Sequence, residues 1–452
     1  MISKPTLAAI RFGAGLGPDH APPHGAAALW DSLDRETART VPPVTSWDTR
    51  LARAIERRDL RRLRRDGDAD AQEALRLLNR SDRDDALADL RATLIRLATA
   101  ETGFFERLSR FWSNHFALQA KTGTLRFLRA PYAEDALRPH LQGPFAEMLK
   151  AAILHPAMLD YLDQNRSVGP ASRAGRRRGR GLNENLAREL LELHTLGVAG
   201  GYSQEDVTQM ARLLTGLTYT LDDGFSFRPN IAEPGIIEIF GTRYGGRPVT
   251  LDHILTALDD LALRPETAQH LATKLARHFI SDAPDPQLVA HMAASYLNAK
   301  GDLPALYRAM LEHPAAWDGP LSKTRAPFEM MAASLRALAV DPATILGLSR
   351  NETRRFLDGP LRLMGEPHEE VPSPAGYSDA APAWITPQAL AARIDWAMGL
   401  AQLVPTDNDP RDFIEIALAD AASDALRRAS AGAETRAQGI GLILAAPDFN
   451  RR

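Results

Sequence analysis

The stretch GLNENLARELLELHTLGVAGGYSQEDVTQMARLLTGLTY, residues 181–219, decides the fold class. Leu182, Leu186, Leu190 and Leu193 recur at helical spacing as one apolar stripe, and Gly197 supplies a C-terminal stop. Ser203 with Asp206 three residues later resembles a capping box, with Asp in place of the usual Glu or Gln. Val207, Met210, Ala211 and Leu214 give the buried side of the helix that starts there, so the two segments form a helical hairpin across Gly200-Gly201.

Working outward, the same periodicity returns along most of the chain, carried by alanine, leucine, arginine and glutamate, which are strong helix formers. It predicts helices over 47–65, 69–79 and 82–100, with Asp66-Gly67-Asp68 and Ser81 as breaks. Further helices are expected over 250–263, 265–280, 286–298, 303–313, 327–339 and 387–403, several opened by proline, and a last pair over 412–444. Glycine and proline crowd residues 359–387, which reads as an irregular cover. FSFRP (225–229) and IIEIFGTRY (236–244) have β-type composition around Glu233-Pro234-Gly235 and predict a small β-hairpin near 225–244. The segment SVGPASRAGRRRGRG (167–181) holds five arginines and no apolar face, so a mobile, exposed loop is expected.

The fold class is therefore mainly α, a large multi-helix single-core bundle with one small hairpin, read as one domain over 1–452. Within it, residues 1–100 are scaffold, 101–220 carry a polar centre, and 250–452 are C-terminal helices.

A net charge of −3, with 44% hydrophobic and 25% charged residues, is ordinary for a globular protein and gives no nucleic-acid signature. The absence of cysteine removes disulfides, thiolate metal sites and a cysteine nucleophile. No eighteen apolar residues run together and the amino terminus is too interrupted for a signal-peptide core, so a cytoplasmic location is the default expectation. GxSxG, GxxxxGK[ST], HExxH and a strand-linked GxGxxG are all missing.

Candidate chemistry comes from two helices. In GFFERLSRFWSNHFAL (103–118), Phe104, Leu108, Phe111 and Leu118 form an apolar stripe with His115 in its middle. A buried imidazole needs a partner. Either it is a core histidine bonded to a backbone carbonyl or carboxylate, or it is a ligand or proton carrier. In the second helix Glu189 and His194 lie on opposite shoulders of the leucine stripe, while Asn185, Glu189 and Glu192 share one side. These polar groups read either as a helix–helix hydrogen-bond network fixing register or as a site. In the site reading Glu189 is a base or ligand, and His115 and His194 are ligands or proton carriers. Asn114, Asn183, Asn185 and Glu192 then stand behind them, and His115, Glu189 and His194 could hold a divalent metal assembled across helices. Asp160 and Asp163 read as solvated acids near the arginine segment, and His140, His155, His253, His270 and His313 look unremarkable.

RFWSNHF (110–116), HPAMLDYLD (155–163), NENLARELLELHTLG (183–197) and GGYSQEDVTQMARLLTGLTY (200–219) together resemble the bacterial family catalogued as domain of unknown function 1800. LATKLARHFISDAPDPQLV (271–289), KTRAPFEMMAASLRAL (323–338) and WITPQALAARIDWA (384–397) extend the resemblance over nearly the whole chain. It implies no established activity. It does imply a neighbouring gene for a sulfatase-like exported protein, hence a non-catalytic assembly or maturation role as the alternative to a ligand-binding or enzymatic one, and it leaves export or envelope association open. Ala232 stands where many relatives carry histidine, a departure that would alter a site built on that residue.

Overall fold

Helix ends in this chain are set by local chemistry that the sequence displays. The computed structural model describes residues 2–119, 123–178, 181–404 and 407–452. Helix α1 (Trp47–Arg65) starts where the Ser46 side chain accepts from the Thr49 amide. Its neighbour α2 runs unbroken over Asp70–Ala98, so the break expected at Ser81 is absent. The reason is tertiary. Asp82 is buried and turns its carboxylate across to Arg50 and Arg57 of α1 rather than back to its own backbone, while Asp89 pairs with Arg50 at 3.0 Å. A residue that caps helices in isolation is held inside one by charges on the next.

Helix α3 (Phe104–His115) buries the predicted stripe, with Phe104, Leu108 and Phe111 at 3% exposure or less. Helix α4 (Asn185–Glu189) continues directly into a π-helical turn, Leu190–Thr195. Helix α5 (Gln204–Leu213) opens with both halves of the Ser203/Asp206 capping box formed.

The non-helical region is two hairpins. β1 (Leu217–Thr220) pairs with β2 (Gly224–Phe227), and β3 (Gly235–Ile239) pairs with β4 (Thr242–Gly246), both antiparallel. FSFRP thus pairs with the chain before it rather than with IIEI. The second hairpin turns on Phe240 and Gly241, at φ of 52° and 77°, the two positive angles a tight two-residue hairpin turn requires. Glu233-Pro234-Gly235 is a link between hairpins. It anchors the arginine segment: the amides of Gly169 and Ala174 bond to the carbonyls of Ile231 and Asn230, and Ala171 N–H donates to Glu233. Ser167, Val168 and Ser172 are buried there and Pro170, Arg173, Arg176 and Arg177 stand out, so over residues 167–177 the expected free loop is a docked one. The tip of that expected loop, residues 179–180, lies outside the described residues.

Helices α6 (Pro265–Phe279), α7 (Pro327–Ala337) and α8 (Pro387–Leu403) each carry proline at the first turn, where no amide partner is lost. The expected last pair is three short helices, Pro410–Ala417, Asp424–Ala431 and α9 (Arg436–Ala445), the last packed on α8. Residues 364–380 form the irregular cover read from glycine and proline.

Buried apolar side chains gather in one large cluster, to which α3, α4, α5 and α6 contribute, and a second built from α2, α7, α8 and α9. Arg107 of α3 and Glu329 of α7 pair at 3.1 Å from one cluster to the other. Buried charge therefore collects where the two meet.

Candidate functional site

Helix α3 stops at His115 because Phe116 leaves helical geometry, at φ −99° and ψ 47°. His115 is 1% exposed, its ring centroid 4.6 Å from Phe116 and 5.2 Å from Trp112. Its Nε2 lies 3.1 Å from the carbonyl oxygen of His194, and His194 Nδ1 lies 3.2 Å from the carbonyl oxygen of His115. A carbonyl only accepts, so these nitrogens carry the protons of two neutral imidazoles. His115 Nδ1 is left without a partner. Burial, reinforced by the charge of Lys274, pushes His115 well below its ordinary range and His194 down to about 3. The core-histidine reading of His115, bonded to a backbone carbonyl, is the arrangement the fold adopts.

The π-turn explains why His194 reaches this position. Leu196 N–H bonds to the Leu191 carbonyl and Thr195 Oγ1 to the Leu190 carbonyl, both five residues back, so the ordinary helical step misplaces the residues after Glu189. Glu189 is half-buried, and its charge bears on Tyr161, whose hydroxyl is raised by burial first and this carboxylate after it, and on Tyr202, raised by burial first, then Glu192, with Glu189 adding less. Among the described residues no three His, Asp or Glu side chains gather to hold a metal. The metal set His115, Glu189 and His194 is therefore not assembled: both imidazoles spend a proton on a carbonyl, and each ring lies on the dry side of the helix.

The expected supporting residues do other work. Asn114 donates to the Tyr377 carbonyl at 2.9 Å and accepts from the Tyr377 amide at 2.7 Å, gripping the cover. Gly376 is glycine for that reason: its φ is +77° and a Cβ would fall 2.4 Å from Asn114 Oδ1. Asn183 accepts from the Asn185 amide at 2.8 Å and starts α4, where Asn185 is exposed. Glu192 acts with Glu189 on Tyr202. Asp160 is buried rather than solvated and accepts from the Tyr219 hydroxyl. Ala232 is 2% exposed and lies 3.0 Å from where a Cβ on Gly216 would stand, so this position is filled by close packing.

The polar centre itself lies on α6, at His270, Lys274 and His278. Their four-residue spacing on one helix face was the signal available in the sequence. His270 donates to the Leu193 carbonyl at 3.1 Å and its ring is 6.2 Å from His115. Gly197, at φ +81°, lets the chain pass over that ring, since a Cβ would sit 2.6 Å from His270 Nδ1. Burial brings Lys274 down to about 8, with Asp379 opposing, and no carboxylate among the described residues lies within ion-pair distance of it.

His278 is the sharpest feature. Its Nδ1 lies 2.7 Å from Asp379 Oδ1, while its Nε2 is buried, has no hydrogen-bond partner and stands 3.9 Å from Glu329 Oε1. Burial favours the neutral acid at Asp379, but His278 and the charges of Lys323 and Arg452 outweigh it and hold the carboxyl below its usual range. Glu329 is likewise kept ionised against its burial by Arg107 and Arg452, the latter at 2.9 Å. Arg110 pairs with Glu366 at 2.5 Å and stacks over Phe328. Arg110, Asn114, Arg129, His278, Tyr377 and Arg452 line a cavity of about 40 Å³ under the cover, enough for a few waters.

A mainly helical protein with a sealed histidine pair and an adjoining buried charge cluster is the class these features define. The model of the family described as Protein of unknown function (DUF1800) matches residues 8–451, and the chain belongs to that family. No curated protein and no solved structure matches it. Among the described residues no helix is long and apolar enough to cross a membrane.

Proposed function

We infer that the chain is a ligand-binding protein of enzymatic type that takes a small anion into the cavity beneath the cover and moves a proton there through His278. The observation that carries this is the His278–Asp379 pair with a free, buried Nε2. A carboxylate on Nδ1 fixes the ring and its tautomer, which leaves the Nε2 lone pair to accept a proton and Asp379 to stabilise the imidazolium that results. Arg110, Arg129 and Arg452 line the cavity with Glu329, Glu366 and Asp379, and Arg107 and Arg325 act on Glu329 from outside that lining, a surplus of cations that favours an anionic guest. His115 and His194 serve as the dry wall behind α6, and Asn114 and Tyr377 as the latch of the cover. The test is a titration of the full chain with acetate and with orthophosphate, followed by NMR at the His278 ring. A saturable shift that weakens in Asp379→Asn supports the reading; a His278 signal unmoved by either anion refutes it.

A second reading is favoured by the docking of residues 167–177 on the 230–233 link, which joins the arginine segment and the hairpin region into one surface. On it the chain is a non-catalytic assembly partner of the sulfatase-like protein that the family resemblance implies. Co-purification retained in His278→Gln but lost when Arg173, Arg176 and Arg177 are replaced would favour it.

A further inference from the structure

On the outer side of the cover, two cavities of about 400 and 360 Å³ share Arg83, Phe127, Glu369 and Glu370. Both volumes fall in the range of small-molecule sites. One adds Arg126 and Arg129 to its wall, the other Arg350, Arg354 and Arg362.

We propose that these joined cavities are one binding site for a small molecule carrying two or more phosphate groups. The argument is one of unspent charge. Arg350 is paired with Asp84, and Arg362 holds Glu370 through two bonds, at 2.7 and 3.1 Å. Arg83 and Arg354 have neither a hydrogen bond nor an ion pair from their side chains among the described residues, and Arg126 reaches only the Asn79 amide oxygen, at 2.9 Å. Arg83 and Arg126 thus face open volume with no carboxylate paired to them, and Arg354 shares its wall with Asp358, on which its charge acts without an ion pair being formed. Each is a planar fork suited to two parallel bonds with a phosphate.

The acid at the shared wall does not cancel this charge. Glu369 Oε1 is buried, makes no hydrogen bond and stands 3.4 Å from His368 Nε2, and burial pushes its carboxyl up to about 7, so much of it is uncharged at neutral pH and able to donate to an oxyanion. Phe127 supplies the remaining signal. It lines both cavities with φ at +52°, a left-handed conformation that a bulky residue adopts only where its surroundings enforce it. That conformation stands where the cavities meet, so a ligand long enough to use both has charged groups on either side of the ring. Two cavities with separate cations fit two or more phosphates better than one.

The test is calorimetric titration of the full chain at low salt with pyrophosphate, orthophosphate and ADP. Pyrophosphate should bind at least about tenfold more tightly than orthophosphate, and joint Arg83→Ala and Arg354→Ala replacement should weaken it at least about tenfold, through loss of two charge-assisted contacts. Both side chains are exposed, so the fold is unaffected by their loss. ADP tighter than pyrophosphate assigns a nucleotide that stacks on Phe127; ADP equal to it assigns a non-nucleotide diphosphate, and both uphold the site. Pyrophosphate binding no tighter than orthophosphate overturns the proposal. So does an equal loss on replacing Arg173 and Arg176, which would make the attraction diffuse.

Discussion

Lowering the pH should expose the sealed histidine pair thermodynamically. His115 and His194 are neutral in the fold, with values pushed below the ordinary one by burial first and Lys274 second. Unfolding frees both to bind protons near pH 6.5. The folded value is the lowered one, so each contributes stability above the unfolded pKa and loses it as pH falls toward the folded pKa. Between pH 7 and 5 the His194 imidazole costs the fold about 2 kcal/mol, and His115 adds a loss of the same sign. Glu369 works in the opposite sense, because its raised carboxyl takes up a proton on folding in that window and returns about 2 kcal/mol. The clean measurement is a difference. Urea midpoints taken across this range for the wild type and for His194→Gln share every other group. The variant lacks one titrating ring, so its loss on acidification should be smaller by about 2 kcal/mol. Parallel pH dependences would mean that folded His194 protonates normally, and the argument for a dry pair would fall.

Replacing Asn114 by Ala removes both bonds to Tyr377 and should cost about 1–3 kcal/mol, with the Tyr377 amide exchanging faster with solvent; unchanged exchange would show that the latch is elsewhere. The Lys274 ammonium should lose its proton near pH 8 rather than at the ordinary lysine value, readable from NMR of its reductively methylated amine. Zinc or manganese added to the purified chain should leave its melting temperature in place, as the described residues offer no ligand trio; a saturable rise abolished by His115→Ala would restore the metal reading.

How much of this was legible depends on the distance over which each feature is encoded. Helix starts at Trp47, Gln204 and Pro265 follow from a cap or proline beside them, and the apolar stripe of α3 placed His115 in the interior. The stripe could not say what the ring meets. That depended on the π-turn after Glu189, which shifts His194 onto the His115 carbonyl and leaves the carboxylate behind with Tyr161 and Tyr202.

Mainly helical architecture, the capping box, the buried imidazole and the irregular cover were determined by the sequence itself, because each is settled within a turn or two of chain by propensity, periodicity and hydrogen-bonding groups. Tertiary structure alone decided the unbroken α2, the hairpin partners, and the pairing of His278 with Asp379 across 101 residues. Those outcomes turn on which distant charge or strand is present to satisfy a buried polar group, and local sequence carries no record of it.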